Sequence, residues 1–431
     1  MIIINHIFFF ANASEIPKPI PRVPPVTIAT LRRSAKAAET FTVINKFIKN
    51  DILIYKYLNQ NLFNIFNMKL MYFIQIVFVY SYTNTGAWFP VISISEISDK
   101  KPFSIKICYD DYVVWKNGNS WSMVKDVCPH KLAPLSQGRI SEDNNIECPY
   151  HGQQFNGNGD CVKIPQSNKM PPYTNGVQAI KTHLFNDLLW GFFPCKETQR
   201  DDIFPETYYP VLNTLKEPFF IRDFPYSVDM LLDNFMDPAH IPFAHHGLQG
   251  DRSDGSPIPM TLEKSDMNNI EVSYTDKING KKRNAKVAYN RPAYYYATDA
   301  GQKFLNIFVA PVMAGKSRIF FSPPFKGPPK VIVHYFSNTF FNTDIWIHNA
   351  EYQLRTRKLE YKLSTTSDIS TSLFRKWYKT YGLEDSEFFK LPEHLPEPLP
   401  PDKQFDPVND HNKYCKTCSK YYKWGKRLKL I

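Results

Sequence analysis

Two short segments pair a thiol with an imidazole: Cys128-Pro129-His130 and Cys148-Pro149-Tyr150-His151-Gly152, with seventeen residues between His130 and Cys148. Two cysteines on one iron and two histidines on the other hold a mixed-ligand [2Fe–2S] cluster. Cys128, His130, Cys148 and His151 are therefore the expected cluster ligands, each loop serving both metals. Exchanging two anionic thiolates for neutral imidazoles removes negative charge and raises the potential at which such a cluster takes an electron. A structural zinc site is the competing reading. Zinc ligands are more often spaced C-x2-C and H-x3-H, which the C-x-H and C-x2-H loops fit poorly. Gly152 and the prolines suit tight loops that bring backbone amides toward the sulfurs.

A cluster of this kind moves single electrons and by itself does no chemistry on an organic molecule. The segment Asn234-Phe235-Met236-Asp237-Pro238-Ala239-His240-Ile241-Pro242-Phe243-Ala244-His245-His246 offers a second metal site. His240 and His245 with one carboxylate would form a two-histidine, one-carboxylate face that leaves positions on Fe(II) open for dioxygen. On a regular helix the two histidines would point about 140° apart, so they converge only if the helix bends, and Pro242 can bend it. Asp237 lies three residues before His240, on nearly the same face, where it can orient an imidazole. With Asn234 it is a candidate catalytic residue. His246 either replaces His245 as a ligand or lines the pocket. The third ligand is expected from a later helix: Asp344 first, Glu351 second. An aspartate in a first helical turn also serves the helix dipole.

The elements that must position these groups read as an α+β protein of two domains with tails, which 431 residues can accommodate. Residues 1–86 look like a targeting or unstructured extension. Ile2–Phe10 is apolar, a basic acid-poor stretch follows, and Met68 is an alternative start. Residues 87–203 form short β-like runs (Val91–Ile94, Ser104–Cys108, Tyr112–Trp115, Ser122–Val127, Leu188–Phe193) separated by turns such as Asn117-Gly118-Asn119, which implies a small antiparallel β domain. Phe204–Pro210 reads as a linker. Residues 211–390 mix a helix over Ser227–His246 and helices over Asp344–Leu363 and Ser370–Tyr381 with strands over Val287–Tyr296, Phe304–Val312 and Val331–Phe336. Residues 391–431 are a proline-rich segment, extended to about residue 411, and a basic tail with the pair Cys415 and Cys418.

The net charge of +11 admits an acidic electron carrier, a carboxylated substrate or a membrane surface. No nucleic-acid module accompanies it, so nucleic acid is not expected as a partner. Seven cysteines, an odd count beside a cluster motif, argue against a disulfide-stapled secreted domain. No apolar run approaches bilayer-spanning length. Aromatic residues at 15% would suit a site for a large flat apolar molecule, although aromatic-rich cores are commoner.

Together the opening Trp88-Phe89-Pro90-Val91, the two cluster loops, Gly159–Gln166, Asn234–His246, Ser367-Asp368 with Phe374-Arg375-Lys376-Trp377, and the C-x2-C resemble the Rieske non-haem iron oxygenases. Within them the chain is similar to the plastid branch of pheophorbide a oxygenase, chlorophyllide a oxygenase and the inner-envelope Tic55-type proteins. The resemblance implies a Rieske [2Fe–2S] domain followed by a helix-grip catalytic domain. It also implies a mononuclear Fe(II) site using O2, and a homotrimer that passes electrons from the cluster of one subunit to the iron of the next, with Asp237 on that bridge. Reduced ferredoxin would be the electron donor and a chlorophyll-derived tetrapyrrole the substrate, in a chloroplast and associated with its envelope or thylakoid membrane. Asp344 stands about one residue from the family's acidic position. Members of this branch usually carry hydrophobic segments after the C-x2-C, where this chain has Ser419–Ile431. Cys415 and Cys418 would be a switch reduced by thioredoxin or a simple pair of surface thiols. The alternatives are the same chemistry on another polycycle, such as a sterol, and a Tic55-like redox or translocon-associated protein without turnover.

Overall fold

Every strand before residue 200 lies in one of two antiparallel sheets in the computed structural model, which describes residues 85–169, 176–195, 199–215, 218–322, 328–381, 395, 397–400 and 403–428. The expected leader lies outside the described residues up to position 84. These strands are β1 (Thr85–Ser93), β2 (Phe103–Ile107), β3 (Asp110–Asn117), β4 (Ser120–Lys125), β5 (Arg139–Ile140), β6 (Ile146–Glu147), β7 (Gln154–Phe155), β8 (Cys161–Lys163), β9 (Ala179–Phe185), β10 (Leu188–Pro194) and β11 (Gln199–Arg200). The larger sheet runs β11-β1-β10-β9-β4-β3-β2 and the smaller one β5-β6-β7-β8. Tight turns set these registers. Asn186 and Asp187, both at positive φ (46° and 64°), join β9 to β10 as a primed two-residue turn demands. The four short strands carry the two Cys/His loops. A separate apolar cluster of Val113, Trp115, Val124, Leu135, Ile146 and Phe155 packs beneath them and includes Cys128 and Cys148.

After a one-turn helix α1 (Pro205–Tyr208) the chain builds a second antiparallel sheet. Its strands are β12 (Phe220–Phe224), β13 (Met260–Ser265), β14 (Asn269–Ile278), β15 (Lys281–Asn290), β16 (Tyr294–Asp299), β17 (Gln302–Met313) and β18 (Lys316–Phe321), in the order β12-β18-β17-β16-β15-β14-β13. Alternation drives β14: Ile270, Val272 and Tyr274 are buried while Glu271 and Ser273 are not. Around this sheet lie α2 (Val228–Phe235), α3 (Ile241–Ala244), α4 (Lys330–Asn342), α5 (Ile347–Arg355), α6 (Ile369–Thr380) and α7 (Lys416–Arg427). The fold is thus α+β, antiparallel sheets with helices laid on them.

One hydrophobic core runs across the expected domain boundary. Trp190 of β10, fully buried, meets Phe308 of β17 edge-on at 5.2 Å, and Tyr209 from the connecting segment packs on both. The β2–β3 turn also donates backbone bonds to β17, Cys108 N–H to the Pro311 carbonyl (2.8 Å) and Tyr109 N–H to that of Val312 (3.0 Å). Beneath the second sheet sits a fully buried ion pair, Arg318 Nε to Asp223 Oδ1 at 2.6 Å, with the Tyr414 hydroxyl donating to Asp223 at 2.8 Å. It ties β12 and β18 to the C-terminal segment.

Three local expectations are corrected. Val331–Phe336 is not a strand but the first half of α4. The β-branched run is overridden by tertiary packing that buries His334 and Phe341 on one helical face. The helix expected over Ser227–His246 is broken: α2 ends at Phe235, Asp237 caps a 3₁₀ turn over Pro238–His240 with a bond to Ala239 N–H (2.8 Å), and α3 follows. Residues Pro407–His411, expected to be extended, form a π-turn capped by Asp406. Among the described residues no helix is long and apolar enough to cross a membrane.

Candidate functional site

The two Cys/His loops fold by the same rule. Cys128 N–H bonds the Ala133 carbonyl (2.9 Å) and Leu132 N–H returns to Cys128 (2.8 Å); Cys148 N–H bonds Gln153 (2.8 Å) and Gly152 N–H returns to Cys148 (3.1 Å). The residue four places after each cysteine takes a left-handed conformation, Leu132 at φ 60° and Gly152 at φ 68°. Both cysteines are buried, whereas His130 is exposed and His151 half-buried, their rings 4.7 Å apart edge-on. The sulfurs thus sit inward and the imidazoles outward, the polarity expected of a two-iron cluster with one solvent-facing metal. Burial pushes the Cys128 thiol up to about 11, so bound metal is what would hold it as a thiolate. At the back of the loops Gly159 leaves room for backbone: a Cβ there would stand 1.9 Å from the Val177 carbonyl oxygen.

The second constellation forms where the break after α2 meets the C-terminal end of α4. His240 Nε2 and His245 Nε2 stand 3.3 Å apart, and Asp344 Oδ2 is 3.7 Å and 3.1 Å from them. Three donors so spaced can share one ion. The fit is supported by a buried carboxylate oxygen left without a hydrogen-bond partner, Asp344 Oδ1. Between the two histidines the chain passes from the 3₁₀ turn ending at His240 into the single turn of α3, with Pro242 in its first turn, and leaves helical geometry at His245 (φ −102°, ψ 27°), so the imidazoles do not sit on one regular helix. His245 is held twice. Its ring stacks on Phe340 at 3.8 Å, and its Nδ1 lies 2.7 Å from Thr343 Oγ1, which donates its own proton to the Phe340 carbonyl (2.7 Å). The hydroxyl must therefore accept from Nδ1–H, leaving the Nε2 lone pair facing the site. Burial lowers the His240 pKa against the opposing pull of Asp344 and Asp237, which keeps that imidazole neutral as a ligand must be. Burial likewise raises the Asp237 carboxyl, and its Oδ2 stands 3.8 Å from His240 Nδ1.

The three residues lie on a cavity of about 450 Å³ whose other walls include Phe235, Tyr295, Phe336, Phe340 and Phe341. Asn234 and Asp237 line it too, and Arg283, paired with Asp276 (2.9 and 2.5 Å), reaches its wall. Glu351, the second choice for the third ligand, is absent from this group. It accepts from Ser227 (N–H at 3.1 Å, hydroxyl at 2.5 Å) and from Arg355 (2.8 Å). His246 does not line the cavity as expected. Past Gly247 (φ 78°) the chain turns outward, and His246 faces Asp251 (3.4 Å) and Arg252 at the surface. Thr343 and Phe340 were not singled out in the sequence, although Thr343 adjoins Asp344. Cys415 and Cys418 are not surface thiols: Cys415 is 2% exposed and both sit beside His334.

Residues 87–174 match the Rieske [2Fe–2S] domain family. The chain is 28% identical to the protochlorophyllide-dependent translocon component 52 of Arabidopsis thaliana, over 80% of this chain and 74% of that protein. It is 28% identical to flavonoid 8-hydroxylase 2 of Ocimum basilicum, over 77% and 72%. It is 26% identical to pheophorbide a oxygenase of Arabidopsis thaliana, over 78% and 72%. In fold it is similar to dicamba monooxygenase, with a TM-score of 0.56 at 17% identity over 70% of this chain and 98% of that one. Relatives that span both halves of the chain thus agree with the matched domain: the chain carries a Rieske [2Fe–2S] domain and over most of its length is similar to Rieske-type oxygenases.

Proposed function

We propose that this protein is a plastid monooxygenase that inserts oxygen into a chlorophyll-derived tetrapyrrole, with reduced ferredoxin as electron donor. The observation that carries this reading is the meeting of His240, His245 and Asp344 at an aromatic-walled cavity in a chain that also carries a Rieske domain. In it, Cys128, His130, Cys148 and His151 hold the cluster, and His240, His245 and Asp344 hold the mononuclear iron. When bound, the two centres supply single electrons and activation of O2. The chain's own residues do the rest. Phe235, Tyr295, Phe336, Phe340 and Phe341 offer ring faces to a flat macrocycle and keep water from it. Asn234 and Asp237 give the cavity a polar edge. Asp237, with its raised pKa and its place beside His240, can hold and pass a proton and would stand on the path of electrons between subunits of a homotrimer. The plastid assignment rests on relatives that are chloroplastic proteins. Association with the envelope or thylakoid would use the basic face of α7, which carries Lys420, Lys423 and Arg427. The proposed division keeps 87–203 as the Rieske domain and 211–390 as the catalytic one.

A second reading is favoured by one observation: flavonoid 8-hydroxylase 2 is as similar to this chain as the translocon component. A flavone is also flat and aromatic, and Arg283 would offer its phenolic oxygens a donor. Anaerobically reconstituted protein given reduced ferredoxin, O2 and a panel of chlorophyll derivatives and flavones decides between them. An absorbance change confined to one tetrapyrrole supports the first reading. Turnover of flavones alone supports the second, and silence across the panel overturns both.

A further inference from the structure

The C-terminal thiols have company that the sequence motif alone does not reveal. Besides the iron constellation, one other group of His, Cys, Asp and Glu among the described residues brings its ligand atoms within 4.8 Å of one another: His334, His411, Cys415 and Cys418. His334 Nδ1 stands 3.5 Å from Cys415 Sγ, 3.5 Å from Cys418 Sγ and 3.2 Å from His411 Nε2. One ring nitrogen can hydrogen-bond only one of those three neighbours, so as a hydrogen-bond network the cluster is overcrowded. As a coordination shell it is regular. Metal–sulfur bonds of about 2.3 Å and metal–nitrogen bonds of about 2.0–2.1 Å at tetrahedral angles put nitrogen and sulfur about 3.6 Å apart and two nitrogens about 3.4 Å apart.

We propose that His334, His411, Cys415 and Cys418 form a closed, structural zinc site, separate from both iron centres. Two soft thiolates with two imidazoles in tetrahedral array are the donor set of zinc, and no position is left open for water or substrate. Binding releases the two thiol protons and leaves a site of zero net charge, which is what a buried place can tolerate. The place is buried: His334 and His411 are each 1% exposed, and the ring of Phe220 lies 5.1 Å from the first and stacks at 4.8 Å on the second. The tautomer is also set. His411 Nδ1–H donates to the Ile221 carbonyl at 2.7 Å, which aims the Nε2 lone pair inward, the outer-shell support that metal-binding histidines commonly have.

The site joins α4 to a distant C-terminal segment, in which the π-turn that rests on β12 leads directly into the first turn of α7. From α7 the connection continues into the Rieske part of the chain. Lys416 N–H bonds Glu96 (2.6 Å), and Lys416 Nζ bonds the carbonyls of Ser95 (2.7 Å) and Ile97 (2.8 Å). At the other end, α4 leads from His334 to Phe340, Thr343 and Asp344 at the iron constellation. The metal would therefore fix the helix that leads to the third carboxylate, and thiolates coordinated there would be closed to a dithiol reductant.

The inference does not rest on the substrate or on turnover, and its test reads zinc alone. The full chain is produced with zinc and iron supplied and purified anaerobically without chelator. Its metals are then counted by mass spectrometry, and the zinc environment is read by X-ray absorption. One zinc per chain with a mixed shell of two sulfurs and two nitrogens is expected. In Cys418→Ser and His411→Ala, zinc should fall at least about tenfold while the absorbance of the [2Fe–2S] cluster is unchanged, and Cys161→Ser should keep its zinc. Should the variants fail to fold, the shell in the unaltered chain decides. A shell of nitrogen and oxygen only, zinc retained in Cys418→Ser, zinc lost in His240→Ala instead, or a Cys415–Cys418 disulfide in the unaltered protein would each overturn the assignment.

Discussion

Replacing Thr343 by valine should weaken iron binding without disturbing the fold. Valine keeps the branched shape and exchanges only the hydroxyl for a methyl, so the helix end stays packed. What disappears is the acceptor 2.7 Å from His245 Nδ1. Without it, nothing fixes that proton, the ring samples the tautomer with Nε2 protonated, and Nδ1–H is left facing a methyl group. Loss of such an outer-shell partner typically costs 10–100-fold in metal affinity, about 1.4–2.7 kcal/mol. Anaerobic Fe(II) titration against a competing chelator measures this directly, with the cluster absorbance as an internal control for folding. Thr343→Ser, which retains the hydroxyl, should bind nearly as well as the unaltered chain. An unchanged Fe(II) affinity in Thr343→Val would refute the reasoning that this hydroxyl sets the imidazole.

Asp223→Ala should destabilise the chain by about 3–5 kcal/mol in urea unfolding, because Arg318 would be left fully buried without its partner; a loss under about 1 kcal/mol would contradict the pairing. Asp233 gives a pH dependence. Burial, only partly offset by Arg375 at 2.8 Å, raises its pKa from 3.8 to about 6. A raised folded-state pKa means that its contribution is full below pH 3.8 and is lost as pH rises through about 6. The stability difference between the unaltered chain and Asp233→Asn should then shift by about 2 kcal/mol between pH 4 and 7. A difference that stays constant over that range would show that the carboxyl is not held in this way.

Ligand chemistry was more legible than geometry in this chain. The cluster loops carry their meaning in four residues, because soft and neutral donors at those spacings have few uses, and short turn-bounded runs such as Tyr112–Trp115 made the antiparallel sheet readable. The iron constellation was half legible. His240, His245 and Asp344 could be named, but their convergence depends on the change from a 3₁₀ turn to the one-turn α3 between the two histidines, a local geometry that helical periodicity does not give. Thr343 and Phe340 were invisible because outer-shell residues have no type or spacing of their own. His246 and Glu351 misled for the opposite reason, being chemically suitable residues that the backbone turns elsewhere. Val331–Phe336 shows propensity losing to packing. His334 could not have been joined to Cys415 and Cys418 from sequence, because only the fold brings α4 to the C-terminal turn.

As proposed, one chain holds two separate iron sites, the cluster on the Cys128/His130 and Cys148/His151 loops and a single iron on His240, His245 and Asp344. Mössbauer spectroscopy of ⁵⁷Fe-enriched protein tests it most directly when the unaltered chain is compared with Cys148→Ser and His245→Ala. Two cluster irons and one high-spin Fe(II) per chain are expected, with Cys148→Ser losing only the cluster and His245→Ala only the single iron. Zinc in place of iron on the Cys128 and Cys148 loops, or both signals vanishing together in either variant, would contradict it.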